Sequence, residues 1–134
     1  MDAADRLEIH DLYAKYNEYI DHDRFEEWLD LFAEDGIADF ASGYFRGREQ
    51  LDGYVRARGV RERAQPYRNA QHWNTNLVLT EVDGAVRASC YLVRFAIDRE
   101  TRAQSVINVG RYEDVLVKSA GRWVFQYRKV LLFE

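Results

Sequence analysis

The chain has 134 residues and a formal net charge of −4, with 47% hydrophobic and 31% charged residues. That composition predicts a folded globular domain with a sizeable core rather than a disordered chain, and the acidic balance excludes a general attraction to nucleic acid. No run approaches the roughly 18 apolar residues of a membrane span, Met1 to Asp5 is acidic rather than signal-like, and the lone Cys90 excludes an internal disulfide and a cysteine-based zinc site. The expectation is a soluble, cytoplasmic protein forming a single domain over residues 1–134.

A first helix is predicted from Asp5 to about Ile20, because Ile9, Leu12, Tyr13, Tyr16 and Ile20 recur at three and four, with Asp2 or Asp5 as the cap. Asp21-His22-Asp23-Arg24 breaks the pattern. Phe25, Trp28, Leu29 and Phe32 then predict a shorter second helix, stopped by Asp35-Gly36. Ile37–Phe40 and Tyr44–Phe45 read as a short hairpin through Ser42-Gly43. A third helix after Gly47 carries Leu51, Tyr54 and Val55 inward and ends near Gly59. Val60 to Asn69, with the one proline Pro66, reads as a loop or lid.

From Ala70 onward the pattern is strand after strand: Gln71–Thr80, Ala85–Ile97, Gln104–Lys118 and Arg122–Phe133. Asp83-Gly84 is a hairpin dipeptide, and Asp98–Thr101 and Ala120-Gly121 supply the other turns. In the last strand, alternation puts Trp123, Phe125, Tyr127 and Lys129 on one face and Val124, Gln126, Arg128 and Val130 on the other. Helices first and long antiparallel strands afterwards predict an α+β fold. Three N-terminal helices would be wrapped by a strongly curved mixed sheet of four to six strands, a cone enclosing a pocket.

The stretch Ala70–Thr80 carries polar groups where a strand against a core should be apolar. Period-two alternation puts His72, Asn74, Asn76, Val78 and Thr80 on one face and Trp73, Leu77 and Leu79 on the other, with Leu77–Leu79 apolar on both. His72 is therefore the centre from which to look for chemistry, since a neutral imidazole is a suitable base for a proton beside a carbonyl. Tyr13, Tyr16 and Tyr44 are candidate donors to a developing enolate, and Trp28, Phe40 and Trp73 candidate pocket walls. Asn17 lies one helical turn before Asp21. Asn108 interrupts the apolar run Val106–Val109, where a polar residue needs a partner. Asp39 could be a second acid, although an edge-strand carboxylate is the plainer reading. His10 and His22 have no metal-ligand spacing, so no metal and no cofactor are expected. The arginines of the third helix and following loop, Arg46, Arg48, Arg56, Arg58, Arg61, Arg63 and Arg68, read as a solvated face.

The order of motifs resembles the SnoaL-like group of the nuclear-transport-factor-2-like superfamily. The resemblance rests on Asp21, on Phe25-Glu26-Glu27-Trp28-Leu29-Asp30-Leu31-Phe32-Ala33-Glu34-Asp35, and on Phe45-Arg46-Gly47-Arg48-Glu49-Gln50-Leu51. It continues with His72 and Asn76, Gly110-Arg111-Tyr112-Glu113-Asp114 and Gly121-Arg122-Trp123. It implies the cone fold and a family that includes polyketide cyclases, scytalone and bile-acid dehydratases, ketosteroid isomerase and the β subunits of ring-hydroxylating dioxygenases. In its dehydratase branch an Asp just after the first helix and a His on the first long strand form a dyad, matching Asp21 and His72 by position. Scytalone dehydratase carries a second histidine on the next strand, where Tyr91-Leu92-Val93-Arg94-Phe95-Ala96 holds none. An Asp at a helix C-terminus also faces the negative end of the dipole, at a cost of about 0.3–1 kcal/mol, so it has another reason to be there.

The expectation that follows is a cofactor-independent lyase of the dehydratase type, or an isomerase or cyclase, acting on a hydrophobic cyclic, polyketide- or steroid-like substrate. His72 would be the base and Asp21 its orienter. The alternative is a non-catalytic ligand-binding or assembly subunit like a dioxygenase β subunit. Either would cover its open sheet by forming a homodimer or higher homo-oligomer.

Overall fold

The computed structural model describes residues 1–133. Helix α1 (Ala3–Asp21) and the short α2 (Phe25–Leu29) lead into β1 (Phe32–Phe40) and β2 (Gly43–Arg46). Helix α3 (Gly47–Arg63) precedes the long strands β3 (Tyr67–Val82), β4 (Ala85–Asp98), β5 (Gln104–Ser119) and β6 (Arg122–Leu132). One six-stranded mixed sheet runs in the order β2-β1-β6-β5-β4-β3, antiparallel except where β1 lies parallel to β6. This is the expected α+β cone, an unclosed curved sheet over three helices. No helix among the described residues is long and apolar enough to cross a membrane.

Helix α1 starts where Asp2 and Asp5 satisfy each other's backbone N–H groups at 2.8 and 3.1 Å, closing a capping box. Its buried stripe is Ile9, Leu12, Tyr13, Tyr16 and Ile20, as the periodicity predicts. The hairpin turns Asp83-Gly84 and Ala120-Gly121 both take left-handed φ values, 51° and 80°, then 50° and 80°. Such pairs match the twist of the strands they join.

Three boundaries differ from the expectation, each for a physical reason. Helix α2 stops at Leu29, and Phe32 opens β1 beside Phe125 of β6. Gly36 is no helix stop but lies within β1, where a Cβ would sit 2.9 Å from the Ala33 carbonyl and 3.0 Å from that of Phe125. Helix α3 runs four residues past Gly59 to Arg63, so the predicted lid shrinks to 64–66 and Pro66 sits immediately before β3.

The larger correction concerns facing. A bulge opposes two residues to one and reverses the inside-out alternation beyond it. Asn76, with φ 61°, lies in such a bulge between the pairs Thr75↔Tyr91 and Val78↔Ser89. Past it Leu77 and Leu79 pack on the core with the His72 face, while Val78 turns out, half exposed. Gln126 is the extra residue between Phe125↔Leu116 and Tyr127↔Val115. Phe125 and Arg128, predicted on opposite faces, therefore both point inward, their groups 4.3 Å apart.

That inward Arg128 is completely buried. Its guanidinium donates to both carboxylate oxygens of buried Asp114 at 3.0 and 3.1 Å and lies 3.5 Å from the ring of Tyr112 and 4.2 Å from that of Tyr16. The Tyr13 hydroxyl donates to the same carboxylate. An ion pair removed from water persists only when well partnered; here Nε and Nη2 are satisfied by Asp114, while Nη1 has no hydrogen-bond acceptor and the guanidinium lies against aromatic rings. It locks α1 to β5 and β6 below the mouth of the cone.

Candidate active site

Helix α1 ends on Asp21 and delivers its carboxylate to the start of β3. There Asp21 Oδ2 accepts the backbone N–H of His72 at 3.0 Å, and Oδ1 accepts the imidazole Nδ1–H at 2.5 Å. Two bonds from one carboxylate fix both the position and the rotation of the ring. Both side chains are nearly buried, at 7% exposure for His72 and 10% for Asp21. The Nδ1 proton is committed to Asp21, which leaves Nε2 as the ring nitrogen with a free lone pair.

Burial draws the His72 imidazole down from its ordinary 6.5 to about 4. Asp21 pulls it up and the Arg58 and Arg94 charges add to the lowering, but loss of water outweighs the carboxylate. The ring is therefore neutral at physiological pH and able to accept a proton.

His72 lines a cavity of about 170 Å³ whose walls are Ile20, Phe40, Leu92, Val130 and Leu132, with the polar groups Tyr16, Tyr54, Tyr112, Arg58, Arg94 and Asn108. The register explains the polar row. His72 pairs with Arg94 across β3 and β4, and Arg94 with Asn108 across β4 and β5, so all three share the inner face on one line. Arg94 Nη1 donates to Asn108 Oδ1 at 2.9 Å, the partner that the polar residue in mid-strand demanded. Beyond Arg58 and Arg94 a second, charged hollow of about 370 Å³ opens to solvent, with Asp21 in its wall. Of the two, only the smaller is lined by His72.

Of the residues singled out from the sequence, the structure brings His72 and Asp21 together and places Tyr16, Phe40 and Asn108 around the same cavity. The others lie elsewhere. Tyr13 is tied to Asp114 in the core, and Asn17 donates to Asn74 Oδ1 at 2.8 Å on a separate hollow that Tyr13 also lines. Trp28 is fully buried against Phe32 and Tyr16. Tyr44 and Trp73 are more than half exposed, Trp73 on the outer face of the sheet with Phe95. Asp39 accepts from the Tyr127 hydroxyl at 2.5 Å. Among the described residues no group of three or more His, Cys, Asp or Glu side chains is placed to hold a metal ion.

Sequence reasoning missed Arg58, Tyr54 and Arg94. On α3 the spacing Leu51, Val55, Arg58, Glu62 is a helical stripe, and Arg58 falls on its buried side at 13% exposure. Arg46, Arg48, Arg56 and Arg63 are exposed partners in surface ion pairs, as a solvated face requires. Arg94 was legible as a charge inside the apolar run Tyr91–Ala96.

The chain matches the SnoaL-like domain family over residues 1–129. No curated protein matches it. Among solved structures, Rv3472 of Mycobacterium tuberculosis, of unknown function, is 26% identical with a TM-score of 0.80, covering 96% of this chain and 71% of that one. A Catenulispora acidiphila protein is 28% identical with a TM-score of 0.83, covering 97% and 92%. A Novosphingobium aromaticivorans protein with the provisional name scytalone dehydratase is 20% identical with a TM-score of 0.81, covering 98% and 85%.

Proposed function

The chain belongs to the SnoaL-like domain family, and from that premise we propose that it is a cofactor-independent lyase or isomerase that removes a carbon-bound proton from a hydrophobic cyclic substrate. The observation that carries the proposal is the Asp21 carboxylate, which holds the backbone N–H and Nδ1–H of His72 while His72 lines a cavity with both apolar and polar walls. Neutral Nε2 takes the proton, and the electron pair of the broken C–H bond passes to the adjacent carbonyl oxygen as an enolate. Asp21 stabilises the imidazolium formed at that moment. The hydroxyls of Tyr16, Tyr54 and Tyr112 are the donors nearest to hand for the enolate oxygen. In elimination the imidazolium returns its proton to a departing β-hydroxyl, which leaves as water. In isomerisation the proton returns to a second carbon.

The test needs no knowledge of the natural substrate. The wild-type protein should accelerate exchange of the α-protons of cyclic ketones such as 2-tetralone in D2O. His72→Gln should abolish the acceleration, and Asp21→Asn should cut it about a hundredfold or more. No acceleration above buffer with any such ketone, or acceleration that survives His72→Gln, contradicts the proposal.

The assembly reading has its own observation. Trp73, Val78, Tyr91, Val106 and Val109 expose apolar surface on the outer face of the sheet. We assign that face to a second copy of the chain, so that the enzyme works as a homodimer through its sheets.

A further inference from the structure

The cavity of His72 is walled by two arginines whose hydrogen-bond donors the chain itself does not all fill. Arg58 is only 13% exposed, yet among the described residues its guanidinium makes no hydrogen bond, and its nearest carboxylate oxygen, on Glu62, is 3.8 Å away. Arg94 is 12% exposed; its Nη2 donates to Glu62 at 3.0 Å and its Nη1 to Asn108, while its Nε is buried without a partner. Glu62 thus serves two guanidiniums, and it also accepts the Tyr67 hydroxyl at 2.9 Å. Asp21, the next carboxylate, is committed to His72. In the outer hollow five arginines face three carboxylates, in a protein whose net charge is −4. The Arg94 Nε held out of water without a partner is a standing cost to the fold, and the Arg58 nitrogens, still open to the hollow, are free to take a ligand's hydrogen bonds.

We propose that Arg58 and Arg94 form an anion subsite at the throat between the two hollows, and that the substrate is an apolar ring bearing one carboxylate. A guanidinium matches a planar carboxylate with two parallel bonds. With the Glu62 and Asp21 carboxylates already beside the two arginines, the throat suits a monoanion rather than a phosphate dianion. The ring then lies among Phe40, Leu92, Val130 and Leu132, beside His72. This inference rests on the reading of His72 as the base only in naming the ligand a substrate. The subsite itself is independent of the chemistry.

The experiment measures binding of 2-naphthoate and its uncharged amide, 2-naphthamide, by NMR of the Leu92 and Leu132 methyl groups. The carboxylate should bind about ten- to a hundredfold more tightly than the amide, and less so as salt rises. Arg58→Met, which breaks no hydrogen bond of the protein, should reduce the preference to within about twofold, and Arg94→Met should do the same. His72→Gln should keep the preference. Equal binding of acid and amide, a preference that survives both arginine variants, or no binding of the carboxylate at these methyl groups overturns the subsite. Proton exchange that survives His72→Gln, with the preference intact, would sink the base and leave the subsite standing.

Discussion

His72 is buried neutral, so the protein should lose stability in acid through this one side chain. Its folded-state value of about 4 lies below its ordinary 6.5. Between those limits the unfolded chain binds the proton that the folded one refuses. Stability is therefore fully present above pH 6.5, falls as pH drops through the window, and has no more to lose from this group below about 4. At about 1.4 kcal/mol per pH unit the gap is worth about 3 kcal/mol, a large share of a small domain's total. The perturbation is His72→Gln, which keeps a donor for Asp21 and removes the titration. Urea unfolding of wild type and variant at about pH 7.5 and about pH 4 should show the wild type losing about 3 kcal/mol more than the variant. Equal losses in the two proteins would refute the reasoning, as would a His72 that titrates by NMR at or above 6.5.

The remaining structural predictions concern the core and the sheet. Asp114→Ala leaves the Arg128 guanidinium buried without its counter-charge and should cost about 3–5 kcal/mol in urea unfolding; adding Arg128→Met should recover much of it. Gly36→Ala drives a methyl group against two backbone carbonyls that cannot swing aside, for a loss of about 1–3 kcal/mol in the same assay. Trp73→Asp places a charge in the exposed apolar face and should convert dimer to monomer in sedimentation equilibrium; a wild type already monomeric at high concentration would contradict the dimer.

Much of this was legible in the sequence because it is local. The stripe of α1, the Asp83-Gly84 and Ala120-Gly121 turns and the run of long strands are each written in residues a few positions apart. His72 stood out as a polar group on a strand that should be apolar, and Asp21 came from the order of motifs. What stayed hidden is what pairing decides. The bulges at Asn76 and Gln126 reverse which face is inside, and no alternation count can find them before the register is known. Hence Arg128 was put on the face opposite Phe125 and its partnership with Asp114 went unseen. Long-range packing likewise decides the pocket, which lost Tyr13, Asn17, Trp28, Tyr44 and Trp73 and gained Tyr54 and Arg58 of α3, while Arg94 was the one addition its own strand signalled. The sign of the His72 shift is a similar case. A carboxylate partner by itself raises a histidine, and only the depth of burial shows that desolvation wins.

The most direct test of the account is long-range proton–nitrogen NMR of His72 at neutral pH, in the wild type and in Asp21→Asn. The geometry predicts a neutral ring with its proton on Nδ1, a bare Nε2 that shifts when a cyclic ketone is added, and loss of the single tautomer or of its fixed position without the Asp21 carboxylate. An imidazolium at neutral pH, or a proton on Nε2, would leave the cavity without a base.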